Sequence, residues 1–144
     1  MVEYRKILLA VDLSEDSKLV GERAKVVAKC YQSDITLLHV VEYVPVEPMG
    51  EALLPTVQIE TELVDRARTK LAELAQQLGL EQCPQLIETG SIKTEIIRAA
   101  QRIGANLIVL GSRERHGLAI LVNFTEDTVL HAAPCDVLAV RLGK

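Results

Sequence analysis

Tryptophan is absent, phenylalanine occurs once and tyrosine three times in 144 residues, so Tyr4, Tyr31, Tyr43 and Phe124 are the only rings available for stacking bases. The net charge of -4 supplies no basic field for a phosphate backbone. Nucleic acid is therefore not an expected partner. Cysteine is scarce as well. Cys30, Cys83 and Cys135 are odd in number, far apart and without ligand spacing, which speaks against a disulfide framework or a zinc site and for reduced, buried thiols in a cytosol. No metal is expected. No apolar run reaches the roughly 18 residues of a bilayer span. The start, Met1-Val2-Glu3-Tyr4-Arg5-Lys6, enters a strand-like run at once, without the apolar segment and small residues that export requires. A soluble, cytoplasmic protein is the expectation.

The commonest nucleotide cradles are missing too. There is no Gly-x4-Gly-Lys-Ser/Thr loop, no Gly-x-Gly-x-x-Gly after the first strand, and no Ser-Gly-Gly-x-Asp-Ser pyrophosphate turn, since Asp12-Leu13-Ser14-Glu15-Asp16 holds no glycine. A phosphoacceptor receiver would end its third strand in aspartate and its fifth in lysine. Here those places hold Glu88-Thr89 and Arg141.

What is present is a chain of 49% hydrophobic and 25% charged residues, enough to form the core of one domain over 1–144. Lys6 to Asp12 is an almost unbroken apolar run, as in a strand covered on both faces. Ser14 follows as an expected N-cap, with Glu15 and Asp16 in the first turn of a helix whose apolar stripe is Val20, Ala24, Val27, Ala28 and Tyr31. A second buried strand spans Asp34 to Val41. Between Tyr43 and Thr56, Pro45, Pro48 and Pro55 with Gly50 predict one long loop, either a lid or an ordered connection. A helix from near Val57 to Leu78, closed by Gly79, leads to a third strand from Gln85 to Glu88. Gly90-Ser91 opens a helix ended by Gly104, and Asn106 to Gly111 is a fourth strand. A polar loop from Ser112 to His116, a last helical region before Pro134, and a fifth strand from Cys135 to Arg141 complete the chain.

Strict alternation of strand and helix implies parallel pairing with right-handed crossovers, a three-layer α/β sandwich on a five-stranded parallel sheet. Ligands of such sheets bind beyond the carboxyl ends of strands where the winding reverses, which points to Asp12, to Val40-Val41 and to the segment after Gly111. Asp12 reads either as an acceptor for a ribose hydroxyl or metal-bound water, or as an Asx turn or helix cap. His39 lies inside a strand and reads as a hydrogen-bonded core imidazole; His131 ends a helix, where a cation complements the dipole. His116 stands with Arg113 and Arg115 as either a solvated basic loop or an anion site. No residue has the setting of a catalyst.

Four blocks in series resemble the universal stress protein family: Ile7-Leu8-Leu9-Ala10-Val11-Asp12-Leu13-Ser14; Leu37-Leu38-His39-Val40; Asn106-Leu107-Ile108-Val109-Leu110-Gly111-Ser112-Arg113; and Val129 through Val140, with His131-Ala132-Ala133-Pro134-Cys135 inside it. The resemblance runs the length of the chain. It implies an adenine nucleotide alpha hydrolase-like fold with strand order 3-2-1-4-5, and a stress-response role. The family divides into members that bind ATP and members, similar to universal stress protein A, that do not. The sorting motif is Gly-x2-Gly-x9-Gly-Ser/Thr after the fourth strand, whose small residues let backbone amides close on phosphates.

Gly111 supplies the first glycine, but the second position is Glu114, and the third is Asn123 followed by Phe124 or, in the other register, Phe124 followed by Thr125. The first register keeps Val129 to Val140 aligned. An inward carboxylate about 5 Å from one phosphate charge costs roughly 3 kcal/mol at an effective dielectric of ~20, about two decades of affinity. The expectation is therefore a degenerate motif, no bound cofactor, and a binding or regulatory module rather than an enzyme. The alternative is a member that binds ATP with Mg through Asp12, Val40, Gly111, Arg113, Asn123 and Thr125, with switching or slow hydrolysis. The resemblance also implies a homodimer in which the fifth strand, an uncharged edge at Val137, Leu138, Ala139 and Val140 and ending at Arg141, pairs antiparallel with its copy.

Overall fold

The computed structural model describes residues 3–42, 53–113, 129 and 131–142, without the side chains of 53–58 and Arg113. In order, the elements are β1 (Lys6–Ala10), α1 (Ser17–Tyr31), β2 (Asp34–Val41), α2 (Leu53–Leu78), β3 (Gln85–Thr89), α3 (Ile92–Ile103), β4 (Leu107–Arg113) and β5 (Asp136–Leu142). All the ladders are parallel, and the strand order is β3-β2-β1-β4-β5. This is the expected order.

β1 explains why the centre of the sheet is dry. Its side chains alternate between the two faces, and both are covered: Ile7 and Leu9 enter one core with α1 and α2, while Leu8 and Ala10 enter the other with α3 and Val129. Ile7, Leu8 and Leu9 are fully buried. At about 2 kcal/mol for each large aliphatic side chain removed from water, this short run is a main source of stability. Gly21 brings α1 close to α2, since a Cβ there would lie 2.4 Å from Leu78 Cδ1. Ser91 Oγ accepts the Thr94 N–H at the start of α3, and Gly104 ends that helix in the left-handed conformation at φ 68°.

Four local expectations are corrected. Helix α2 begins at Leu53, not near Val57, with Pro55 as its third residue. A proline fits there because the first turn's N–H groups have no partner within the helix. β4 runs through Ser112 and Arg113 instead of stopping at Gly111, because β5 continues beside it to the pair Arg113 and Leu142. Ser14 does not cap α1; the N-cap position is Asp16, whose side chain makes no capping bond to the helix, and the Ser14 N–H is held by Asp12 Oδ1 at 2.9 Å. Cys30 is exposed and Cys83 and Cys135 are half-buried, so none is a core thiol. Cys30 falls on the far side of α1 from Val20, Ala24 and Ala28. Residues 43–52 of the proline-bearing segment lie outside the described residues.

Among the described residues, no helix is long and apolar enough to cross a membrane, and no group of three acidic, histidine or cysteine side chains is placed to hold a metal ion.

Candidate functional site

The winding reverses between β1 and β4, and the carboxyl ends of β1, β2 and β4 open there into a cleft of about 540 Å³. Its floor is apolar. Ala10, Leu38, Val40 and Leu110 come from the strands and Ile96 from α3, while Asp12, His39 and Gly111 stand among the lining residues. Asp12, Val40 and Gly111 are thus brought together, as the topology predicted. Arg113 ends β4. Glu114, Arg115, His116, Asn123, Phe124 and Thr125 lie outside the described residues.

Asp12 performs the structural task weighed for it. Its Oδ1 accepts the Ser14 N–H at 2.9 Å, an Asx turn, and the hydroxyl of buried Ser17 at 3.0 Å. Both bonds fasten the β1 exit to the start of α1. Between them Leu13 is held at φ 63°, in a region that costs a non-glycine residue about 1 kcal/mol. Strain of this kind persists only where neighbours enforce it. Leu13 is further fixed by packing against the core.

His39 is tied to the same exit. A carbonyl can only accept, so Nδ1 donates to Val11 O at 2.8 Å, and in the neutral ring Nε2 is left as an acceptor. The adjoining Val11 N–H is bound to Leu38 O at 2.9 Å. The hydrogen bond read from the sequence is present, but His39 is half-buried and lines the cleft instead of lying in the core.

Gly111 is crowded by the protein itself. A Cβ built on it would stand 2.9 Å from Leu142 Cδ1 and 3.2 Å from Val20 Cγ2. Any side chain there has to displace Leu142 or Val20, so Gly111 has a packing reason to be small where β4 passes between β5 and α1.

A match to the universal stress protein family model covers residues 3–141. The chain belongs to the universal stress protein family. Universal stress protein A homolog 2 of Coxiella burnetii is 36% identical over 144 residues, with 99% of this chain and 98% of the relative covered. Universal stress protein UspA from Lactobacillus plantarum superposes with a TM-score of 0.82 at 22% identity, covering 98% of this chain and 100% of that one. A universal stress protein solved in complex with cAMP superposes with a TM-score of 0.65 at 18% identity over 96% and 98% of the two chains. These likenesses bear out the family resemblance and the α/β fold with strand order 3-2-1-4-5.

Sequence reading missed part of the cleft of this universal stress protein. Leu63, Arg66, Ala67 and Lys70 line it from α2, and Glu42 from the end of β2. Their spacing of i, i+3, i+4 and i+7 marks one helix face, and that two of the four are cations was the available signal.

Proposed function

We propose that this universal stress protein is a cytoplasmic, homodimeric stress-response module that acts by binding and regulation, turns over no substrate and holds no ATP as a stable ligand. The observation that carries this reading is the environment of Gly111. It is the one motif glycine retained, and its lack of a side chain is accounted for by Leu142 and Val20. Its presence therefore needs no phosphate to explain it. The other two glycine positions hold Glu114 and either Asn123 or Phe124. Calorimetric titration of nucleotide-free protein is expected to give no micromolar affinity for ATP with Mg; a micromolar isotherm overturns the reading.

The dimer is supported by β5, which among the described residues pairs with β4 alone and leaves its outer edge open. Beside it lies a depression of about 630 Å³ lined by Tyr4, Val27, Tyr31, Val137 and Leu138. An apolar surface continuous with an open strand edge suits antiparallel pairing of β5 about a two-fold axis, with burial of the depression by the second copy. Val140 is buried in its own core, so the interface side chains would be Val137, Leu138, Ala139 and Arg141, with Val140 supplying backbone. Sedimentation is expected to give a dimer at micromolar concentration, and a monomer there overturns this part.

A second reading, ATP-dependent switching or slow hydrolysis with Mg, is favoured by one observation. The cleft stands open at the reversal point with Asp12, Val40 and Gly111 on its lining, and a relative of the same fold holds a nucleotide, cAMP. In that case Arg113, Asn123 and Thr125 would approach the phosphates. The same titration separates the two readings.

A further inference from the structure

Helix α1 turns an apolar stripe to solvent. Among the described residues four large hydrophobics stand exposed, Leu19, Val26, Tyr31 and Ile59, and three of them lie on this one helix. Tyr31 belongs with Val27 to the depression beside β5, but Leu19 at 37% exposure and Val26 at 59% do not line it. Leu19, Arg23, Val26 and Cys30 are all exposed and follow the i, i+4, i+7, i+11 spacing of one straight stripe, the spacing of a helix-pairing seam. Val20, Gly21, Ala24 and Ala28 are buried on the other side of the helix. Lys18, Lys25 and Lys29 border the stripe at the same intervals.

The charge of this helix is one-sided. From Ser17 to Tyr31 it carries four cations, Lys18, Arg23, Lys25 and Lys29, against one acid, Glu22, a net +3 in a chain of net charge -4, which leaves -7 on the rest. Glu22 is taken by Lys25 at 3.9 Å, while Lys18, Arg23 and Lys29 make no ion pair among the described residues. Lys29 in the last turn suits the helix dipole. Lys18 does not, since it stands in a first turn without an acid, where the dipole disfavours a cation. We propose that this face of α1 docks an acidic amphipathic helix of a partner protein, whose apolar seam covers Leu19 and Val26 and whose flanking carboxylates meet Lys18, Arg23 and Lys29. Apolar side chains on the centre line of the face disfavour a nucleic acid. A bilayer is a plane that would also meet the -7 of the remaining chain, and the stripe holds no aromatic ring to anchor in it. A helix roughly 10 Å across lies within the field of α1 itself, which salt limits to about 8 Å.

The test uses two designed peptides of three heptads, with leucine along the seam and either glutamate or lysine at every flanking position, titrated against the full-length protein by fluorescence anisotropy. The glutamate peptide is expected to bind at least about tenfold more tightly than the lysine peptide, with an advantage that shrinks as salt rises. In a Lys18→Gln/Arg23→Gln/Lys29→Gln variant the preference is lost, and in Leu19→Ser/Val26→Ser the glutamate peptide binds at least about fivefold more weakly. All five residues are exposed, so circular dichroism is expected to match the parent. A Lys6→Gln/Arg68→Gln/Lys93→Gln variant carries the same change in net charge on exposed residues away from α1 and is expected to keep the preference. Saturating glutamate peptide is also expected to slow the alkylation of Cys30, which lies on the stripe. Equal binding of the two peptides, binding of neither, a preference that survives the α1 charge variant, or unprotected Cys30 overturns the proposal. Binding of the parent to phosphatidylglycerol vesicles that the charge variant loses, without a preference between the peptides, overturns it in favour of a lipid surface.

Discussion

The two ends of β1 handle their polar groups in opposite ways. At the amino end the chain's own atoms take them: Asn106 Oδ1 accepts the N–H groups of Arg5 and Lys6 at 3.1 and 3.0 Å, and Arg5 O and Lys6 O accept Asp34 N–H and Asn106 N–H. Tyr4 crosses to Asp136 with a hydroxyl bond of 2.8 Å that pushes its phenol pKa up, and stacks edge-on against Tyr31. At the carboxyl end, Asp12 and His39 hold the exit in a shape that leaves a cavity beyond it, rimmed by cations from a helix over the neighbouring strands. One end is finished by secondary structure and the other is kept available. A parallel sheet with its crossovers on both faces produces this asymmetry, because each strand's carboxyl end faces the loops that begin the next helix.

Six substitutions at five positions and one labelling experiment sharpen or break that contrast. The largest effect is expected at Gly111→Val, where the added side chain meets Leu142 and Val20; about 2–3 kcal/mol should be lost in urea unfolding at unchanged slope. An unaltered midpoint would mean β4 is not confined there. Asp12→Ala removes the bonds to Ser14 and buried Ser17 and is expected to cost about 1–2 kcal/mol, whereas Asp12→Asn keeps the oxygen and most of the stability. If both cost the same, the charge rather than the Asx turn holds the exit.

At the tied end, Asn106→Ala strips an acceptor shared by two exposed N–H groups and should cost about 1 kcal/mol in urea unfolding. An unchanged midpoint would mean that the shared acceptor does not hold that end. Gln32 caps α1 at φ 53° and is exposed, so Gln32→Gly is expected to gain about 0.5 kcal/mol; Leu13→Gly, at φ 63°, gains less because Leu13 also packs on the core. Equal gains would show that the turn at the cleft is ordinary strain.

The smallest effect on stability belongs to thiol alkylation. Burial raises the thiol pKa of Cys83 and Cys135, which lowers their thiolate fraction at pH 8, while Cys30 is exposed. Iodoacetamide is expected to modify Cys30 first. None of the three is among the residues lining the cleft, and labelling exposed Cys30 should leave the stability in urea within about 0.5 kcal/mol of the parent's. A large loss of stability on labelling Cys30 would mean that this thiol is packed rather than free at the surface.

Much of the fold was legible because it is written in local patterns. The apolar run at Lys6 to Asp12, the turn at Gly90-Ser91 and the glycine at 104 each specify a strand or helix end with few other residues involved. Asp12, Val40 and Gly111 were legible as neighbours because a wound parallel sheet brings strand ends together at its reversal point. Arg66 and Lys70 were passed over because, on an amphipathic helix, charges beside an apolar stripe read as a solvated face. Ser14 was mistaken for a cap because the chain first makes a turn, with the Ser14 N–H on Asp12 and the Ser17 N–H on Ser14 O, and the helix starts only at Ser17.

The alternating periods of the chain thus determined a wound α/β sheet, its open edge and the end at which a ligand would sit, because backbone pairing and side-chain burial follow short-range pattern. Tertiary packing alone decided that Gly111 is small for the sake of Leu142 and Val20, that β5 draws β4 out to Arg113, that Cys30 meets solvent and that α2 turns two cations into the cleft. Each of these depends on which face of one element lies against another, a relation between residues far apart in the chain that no local pattern carries.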